Sequence, residues 1–150
     1  MGSCARHATA RRSVWIARSP HRGDTRKLID MLFAIALGGA TGTLLRYAVG
    51  ILLAPATLRF PLATLLINVS GSFLIGWLAE YPGLVNPTLR VALIVGLCGG
   101  FTTFSAFSLE TMRLIERGEV ARATLYAGAS VVLCIGATAL GLAAARASVR

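Results

Sequence analysis

Four long apolar blocks, separated by short polar connectors, make up most of the chain. The blocks cover residues 32–53, 62–79, 89–112 and 120–145. Each is long enough to cross about 30 Å of hydrocarbon at about 1.5 Å of rise per helical residue. The connectors, APATLRF, EYPGLVNPTLR and RLIERGE, carry the Pro, Gly and charged residues that are typical of turns. The pattern therefore predicts an all-α membrane protein with four transmembrane helices and no attached soluble catalytic domain.

The composition fits a membrane domain better than a soluble one. Hydrophobic residues make up 55% and charged residues 14% of the 150 residues, and the mean hydropathy is +0.71. A soluble domain is usually about 45–50% apolar and about 25% charged. The cysteines, Cys4, Cys98 and Cys134, form no CxxC pair, and we interpret the two in apolar blocks as packing residues. His7 and His21 both precede the first block, which excludes a His-based metal cluster inside the membrane.

Residues 1–30 differ in kind from the rest of the chain. They hold seven of the fifteen Lys and Arg residues and contain no apolar run, so they are not a secretory signal peptide by themselves. One interpretation is a basic, disordered arm that lies near anionic lipid. The other is that translation begins at Met31, directly before the first apolar block, so that residues 31–150 form the four-helix domain.

The positive charges outside this tail are almost evenly divided between the two sides of the membrane. With four spans, the termini and the second connector share one side, and the other two connectors share the opposite side. The first side carries Arg90, Arg146 and Arg150, and the second carries Arg59, Arg113, Arg117 and Arg122. Because an imbalance of positive charge sets orientation, a near tie favours insertion both ways round, which permits an antiparallel, dual-topology homodimer. The alternatives are that a small bias is sufficient, or that a genuine tail removes the tie.

Small residues at helical spacing predict close packing of the helices. Gly38 and Gly42 are four apart on one face of the first helix, and Gly128, Gly136 and Gly141 occur in the fourth. Such faces allow helix backbones to approach closely in lipid. This pattern predicts a tight bundle and carries no information about transport.

Polar residues within the spans are costly unless they are paired or face water. Thr64 and Asn68 are four apart in the second helix, and Tyr126, Ser130 and Cys134 form one stripe in the fourth. Interhelical hydrogen bonds are the usual explanation for Ser and Thr. The amide of Asn68 carries two donors and must meet an acceptor, so structural and functional roles both stay open for it.

Three charged residues lie near the ends of spans. Arg46, late in the first helix, has two interpretations: its long stem reaches the interface, or it draws anions toward a pore mouth. Glu80 and Glu110 lie close to span ends, so we interpret neither as a proton-coupling carboxylate at the midplane.

The most irregular stretch of the third span is GLCGGFTTFSAFS, residues 96–108. Gly99 and Gly100 favour a break in the helix, because glycine has little helical preference. Main-chain carbonyls freed by a break must be buried in protein or bound, and a cation is one candidate. Phe104 and Phe107, three apart, are either ordinary packing residues or present their positive ring edges to an anion.

These residues resemble a known family, the Fluc (CrcB-type) fluoride channels. Three stretches carry the resemblance in the family's order: GGATGTLLRY at 38–47, FPLATLLINVSGSFLIG at 60–76 and GLCGGFTTFSAFSLE at 96–110. The resemblance covers about residues 32–145 and excludes the tail. The third stretch is highly specific, whereas the glycine patterns alone are not.

The resemblance implies an antiparallel homodimer in the inner (plasma) membrane, with two pores that export fluoride passively and selectively. It also implies a structural Na⁺ at the dimer centre that is not transported, and no nucleic-acid partner. Transferred by position, the family's roles give a pore-lining amide, ring edges along the path, a polar track, a first-helix arginine and main-chain Na⁺ ligands. The corresponding residues are Asn68 for the amide, Phe104 and Phe107 for the rings, Thr64, Tyr126 and Ser130 for the track, Arg46, and Gly99 and Thr102 for Na⁺.

This sequence departs from the family pattern at three positions. Ala106 stands where the family usually has Thr, Ala63 where Gly is common, and Cys134 where Ser often continues the polar track. The change at Cys134 weakens the far end of the track, because a thiol is a weak donor. None of the three changes touches Asn68 or the two phenylalanines.

Two other classes of protein compete with the channel. A small four-helix multidrug exporter needs a membrane-embedded carboxylate for proton coupling, and the first apolar block has none. A non-transporting scaffold built on small-residue contacts would not require Asn68 or the phenylalanine pair.

Overall fold

The computed structural model describes residues 25–57 and 60–148, which form a helical bundle with no strand among them. The spans are α1 (Thr25–Leu52), α2 (Leu62–Glu80), a third span (Pro87–Glu116) and α6 (Val120–Ala147). All four are long and apolar enough to cross a membrane. The predicted all-α architecture with four membrane-spanning helices is therefore confirmed.

The first helix begins before the apolar block that predicted it. It starts at Thr25, so residues 25–30, which the sequence placed in the tail, are helical. The rest of the tail, with Cys4, His7 and His21, lies outside the described residues, so the choice between a basic arm and a start at Met31 stays a prediction. A short 3₁₀ turn, Ala54–Thr57, follows α1, and Arg59 also lies outside the described residues.

The third span is built from several segments. These are α3 (Pro87–Val91), a π-helical segment (Ala92–Cys98), α4 (Gly99–Phe101) and α5 (Phe104–Glu116). Asn86 caps the start of the span, since its side chain accepts a hydrogen bond from the Leu89 N–H at 3.1 Å. Pro87 occupies the first helical position, where its missing N–H costs nothing.

Glycines hold α1 directly against the third span. A Cβ atom on Gly42 would collide with the Leu97 carbonyl oxygen, and one on Gly38 would collide with that of Ala92. In the reverse direction, a Cβ atom on Gly96 of the third span would lie 2.8 Å from the Ile35 carbonyl oxygen of α1. Close packing by small residues, as the Gly38 and Gly42 spacing predicts, is confirmed for this pair.

The second tight pair is α2 against α6. A Cβ on Gly141 would collide with the carbonyl oxygen of Phe73, and a Cβ on Gly76 would collide with that of Thr138. Gly128 and Gly136 lie in open space, with nothing within 4 Å of an added Cβ. Of the three fourth-helix glycines, only Gly141 therefore contributes to this contact.

Two buried clusters complete the core. One consists of Leu65, Leu114, Ala123 and Tyr126, and it joins α2, α5 and α6. The other surrounds Cys98, which is only 1% exposed and packs with buried leucines of the second connector and of α2. Cys98 thus has the packing role that its position in an apolar block predicts.

Candidate functional site

Two extended residues lie between α4 and α5. Thr102 has φ −80° and ψ 156°, and Thr103 has φ −151° and ψ 114°. Gly99 is helical, with φ −65° and ψ −37°, and Gly100 also lies within α4. The glycines therefore do not themselves leave the helix. Gly100 instead meets α1 closely, since an added Cβ there would collide with the Gly39 carbonyl oxygen.

The Asn68 side chain holds this extended segment by binding both the main-chain N–H and the main-chain carbonyl oxygen of Thr103. Its Oδ1 accepts from the Thr103 N–H at 2.8 Å, and its Nδ2 donates to the Thr103 carbonyl oxygen at 3.0 Å. The amide thus pairs with the backbone as a neighbouring β-strand would. Only one of its two amide hydrogens is used, and the other has no partner among the described residues.

The Asn68 contact also alters the carbonyls of α4. In a continuous helix the Thr103 N–H would bond to the Gly99 carbonyl, four residues earlier. Because that N–H goes to Asn68, the Gly99 carbonyl loses its usual helical donor. The Cys98 carbonyl accepts both the N–H and the hydroxyl of Thr102, at 3.0 and 2.9 Å.

Thr103 caps the N-terminus of α5, which carries the two phenylalanines. Its hydroxyl oxygen accepts from the Ala106 N–H at 3.2 Å, which satisfies one free donor of the first turn. Phe104 and Phe107 follow with ring centroids 5.2 Å apart. Phe107 is half-buried and also lies 5.2 Å from the Tyr126 ring, whereas Phe104 is 78% exposed.

Sequence reasoning assigned no role to Glu110, which joins two of the expected track residues. Its Oε1 accepts from the Thr64 hydroxyl at 2.8 Å, and its Oε2 accepts from the Tyr126 hydroxyl at 2.7 Å. Each hydroxyl has a single hydrogen, so both donors of the pair point at the carboxylate. Glu110 comes one helical turn after Phe107, and that spacing was the available signal. Because Glu110 lies near the end of a span, sequence reasoning did not assign it a partner.

Ser130 contrasts with this satisfied group. It is 7% exposed, and its hydroxyl is the only fully buried side-chain polar atom without a hydrogen-bond partner in the described part of the chain. Such a group usually costs free energy unless a water or a ligand binds it. Cys134, one turn further along α6, is half-buried, so the predicted stripe of Tyr126, Ser130 and Cys134 faces inward.

Three cavities lie around these residues, and we name each by its lining. The phenylalanine cavity, about 630 Å³, contains the most candidate residues: Asn68, Gly99, Thr102, Phe104, Phe107 and Ser130. The Arg46 cavity, about 650 Å³, is lined by Arg46, Thr64, Thr103 and Glu110 among others. The Arg113 cavity, about 230 Å³, is lined by Glu110, Arg113 and Arg117 with part of the first connector.

The three cavities share walls. Thr103 lines both the phenylalanine cavity and the Arg46 cavity. Glu110 lines both the Arg46 cavity and the Arg113 cavity. The structure thus brings Asn68, Phe104, Phe107 and Ser130 to one cavity. It places Arg46 in a neighbouring cavity, with Thr64, and links Thr64 to Tyr126 through Glu110.

The chain matches the family model described as CrcB-like protein, Camphor Resistance (CrcB), over residues 33–142. It is 48% identical over 112 residues to the fluoride-specific ion channel FluC of Methylobacterium radiotolerans, covering 71% of this chain and 78% of that protein. It is 49% identical over 118 residues to the fluoride-specific ion channel FluC 1 of Nitrobacter hamburgensis, covering 74% and 91%. With the FluC channel of Rhizobium meliloti it shares 47% identity over 126 residues, covering 81% and 100%.

Proposed function

The chain belongs to the CrcB-like family, and from this membership we propose that it is a fluoride-selective channel that exports cytoplasmic fluoride by passive flow. Its four apolar helices and its relatives make it a multi-pass membrane protein. The relatives are named as fluoride-specific ion channels, which supports fluoride as the permeant ion and a channel rather than an enzyme.

The lining of the phenylalanine cavity is the observation that carries this proposal. It combines a free amide hydrogen on Asn68, a free hydroxyl on Ser130 and the edges of Phe104 and Phe107. Among the described residues, no charged side chain lines it. Fluoride is small and strongly hydrated, so neutral donors and positive ring edges replace part of its water without holding it too tightly for release.

Thr64 and Tyr126 enter this path through Glu110 in our proposal. Both hydroxyls donate to the carboxylate of Glu110. To bind a passing ion, a hydroxyl must therefore rotate and exchange its hydrogen bond to Glu110 for one to the ion. Arg46 lines the adjoining cavity, and its positive charge would raise the local concentration of anions there. Arg46 therefore takes the pore-mouth role of its two interpretations.

We assign the open side of the phenylalanine cavity to a second copy of the chain. Phe104 is 78% exposed there, and the lining residues Val95, Val131 and Ile135 are 55–67% exposed. A polar path bordered by lipid would leave Asn68 and Ser130 facing hydrocarbon, which is costly. An antiparallel partner, consistent with the near tie in positive charges, would close this cavity and create two equivalent pores.

The same interface is proposed to hold a structural Na⁺. Gly99 and Thr102 line the cavity, and the usual helical donor of the Gly99 carbonyl is bonded to Asn68 instead. Thr102 is extended, which turns its carbonyl out of the helical pattern. Hard cations prefer oxygen ligands, so these two carbonyls from each of two antiparallel chains fit a sodium ion that is held but not transported.

Fluoride efflux from proteoliposomes, followed with a fluoride electrode, tests the function. We expect rapid efflux of fluoride from vesicles that contain the protein, with chloride efflux close to that of empty vesicles. Equal chloride flux would contradict selectivity, and fluoride efflux that requires a proton gradient would contradict passive flow.

A further inference from the structure

The Arg113 cavity contains positive charge that the proposed path does not use. Arg113 lies in the last turn of α5, and Arg117, four residues later, is the residue that caps the C-terminus of this helix. Both line the cavity, and Glu110 lies in the same wall. The cavity is at the end of the bundle where α1 and α5 finish, beside the first connector.

Neither arginine is neutralised by a carboxylate in the described residues. The ion pairs there join Arg122 to Glu119 at 2.6 Å and Arg146 to Glu80 at 3.3 Å. Glu110 is bonded by Thr64 and Tyr126 rather than by an arginine. The remaining acid of this helix end, Glu116, is exposed and does not line the cavity.

Two like charges four residues apart repel each other and slightly destabilise a helix. Here they border a cavity that reaches the carboxylate at the end of the polar track. A bare Glu110 would repel anions, and the two arginines outweigh its single negative charge. Charges arranged around a cavity raise the local concentration of small ions of opposite sign.

We propose that Arg113 and Arg117 form an electrostatic portal that draws small inorganic anions to the Glu110 end of the path. The portal rests on the proposed channel function. It adds a second entrance, through the Arg113 cavity, which shares Glu110 with the Arg46 cavity. Its effect depends on charge and range alone, so lysine replaces arginine without loss and dissolved salt removes the advantage.

The test measures fluoride efflux for R113Q/R117Q in vesicles of zwitterionic lipid only. Two unit charges at roughly 10 Å in a water-like dielectric predict about a threefold slower efflux at about 0.01 M ionic strength. At about 1 M salt, where the Debye length is about 3 Å, the variant and the parent protein should agree within error.

Two controls separate charge from folding. R113K/R117K keeps both charges and should conduct like the parent protein at both salt concentrations. R122Q removes an exposed arginine near the same end that lines none of the three cavities and is already paired with Glu119. We expect it to slow efflux by less than about 1.5-fold at low salt, because its charge is partly cancelled.

Each other outcome overturns the portal. An unchanged rate in R113Q/R117Q shows that the charges do not matter, and an equal loss at low and high salt shows a structural role. If a second set of vesicles that contains anionic lipid shows a loss that the zwitterionic vesicles do not, the arginines bind lipid headgroups instead. If the parent protein itself passes no fluoride, the proposed function fails and the portal with it, whereas flux in the parent with an unaffected variant refutes the portal alone.

Discussion

Asn68→Asp changes one atom of the side chain that both holds the extended segment and faces the proposed ion path. The aspartate keeps an oxygen for the Thr103 N–H, which Asn68 binds at 2.8 Å. It loses the donor to the Thr103 carbonyl oxygen, now 3.0 Å away, and places a negative charge there. Leaving that carbonyl without a partner costs about 1–3 kcal/mol.

The charge has a larger effect on conduction than on folding. A unit negative charge roughly 5 Å from a passing anion, at an effective dielectric of about 20, raises its energy by about 3 kcal/mol. Since about 1.4 kcal/mol is a factor of ten, we expect fluoride efflux to fall by about two orders of magnitude. Proteoliposome efflux measures this, with thermal unfolding in detergent as the record of folding.

Asn68→Ala is the matched variant for this test. It removes both hydrogen bonds to Thr103 without adding charge, so it should be at least as destabilised as Asn68→Asp but conduct better. Equal loss of flux in the two variants would refute the charge argument and leave only the structural role. Parent-like flux in Asn68→Asp would remove the residue from the path altogether.

Three further predictions concern packing and the polar track. Gly141→Ala should lower stability by about 1–3 kcal/mol in thermal unfolding, because its Cβ meets backbone, while Gly136→Ala, in open space, should be neutral or slightly stabilising; equal effects would contradict this packing. Ser130→Ala removes no hydrogen bond, so its stability should stay within about 0.5 kcal/mol of the parent while fluoride efflux falls several-fold; parent-like efflux would place the hydroxyl off the path. Glu110→Gln keeps an acceptor oxygen for only one of the two hydroxyls that Glu110 binds, so the free energy of unfolding should fall by about 1–2 kcal/mol. An unchanged melting temperature would show that these hydrogen bonds contribute nothing to stability.

The four spans were predictable because their signal is local. A helix that crosses a membrane must be apolar over its own length and must satisfy its own backbone, and both requirements are written in consecutive residues. The small-residue face of α1 was predictable for the same reason, since Gly38 and Gly42 share a face by spacing alone. The resemblance of residues 96–110 to a family added the candidate residues, which hydropathy does not identify.

The polar contacts depended on the tertiary structure because their partners are far apart in the chain. Asn68 meets Thr103 across 35 residues, and Glu110 meets Thr64 across 46 residues. Only the packing of α2 against the third span and α6 brings these groups within hydrogen-bonding distance. The same packing decides that Gly141 contacts a neighbouring backbone while Gly136 faces open space. The sequence shows only that both are glycines of the fourth span.

The sequence by itself determined four segments long and apolar enough to cross a membrane, and it predicted that the third is irregular. The tertiary structure decided where that irregularity falls. The extended residues are Thr102 and Thr103 rather than the glycines before them, because the Asn68 amide binds both polar groups of Thr103 and so replaces helical hydrogen bonds there. Backbone groups in a membrane need partners, and the position of the available partner, more than the helix preference of glycine, sets where the backbone extends.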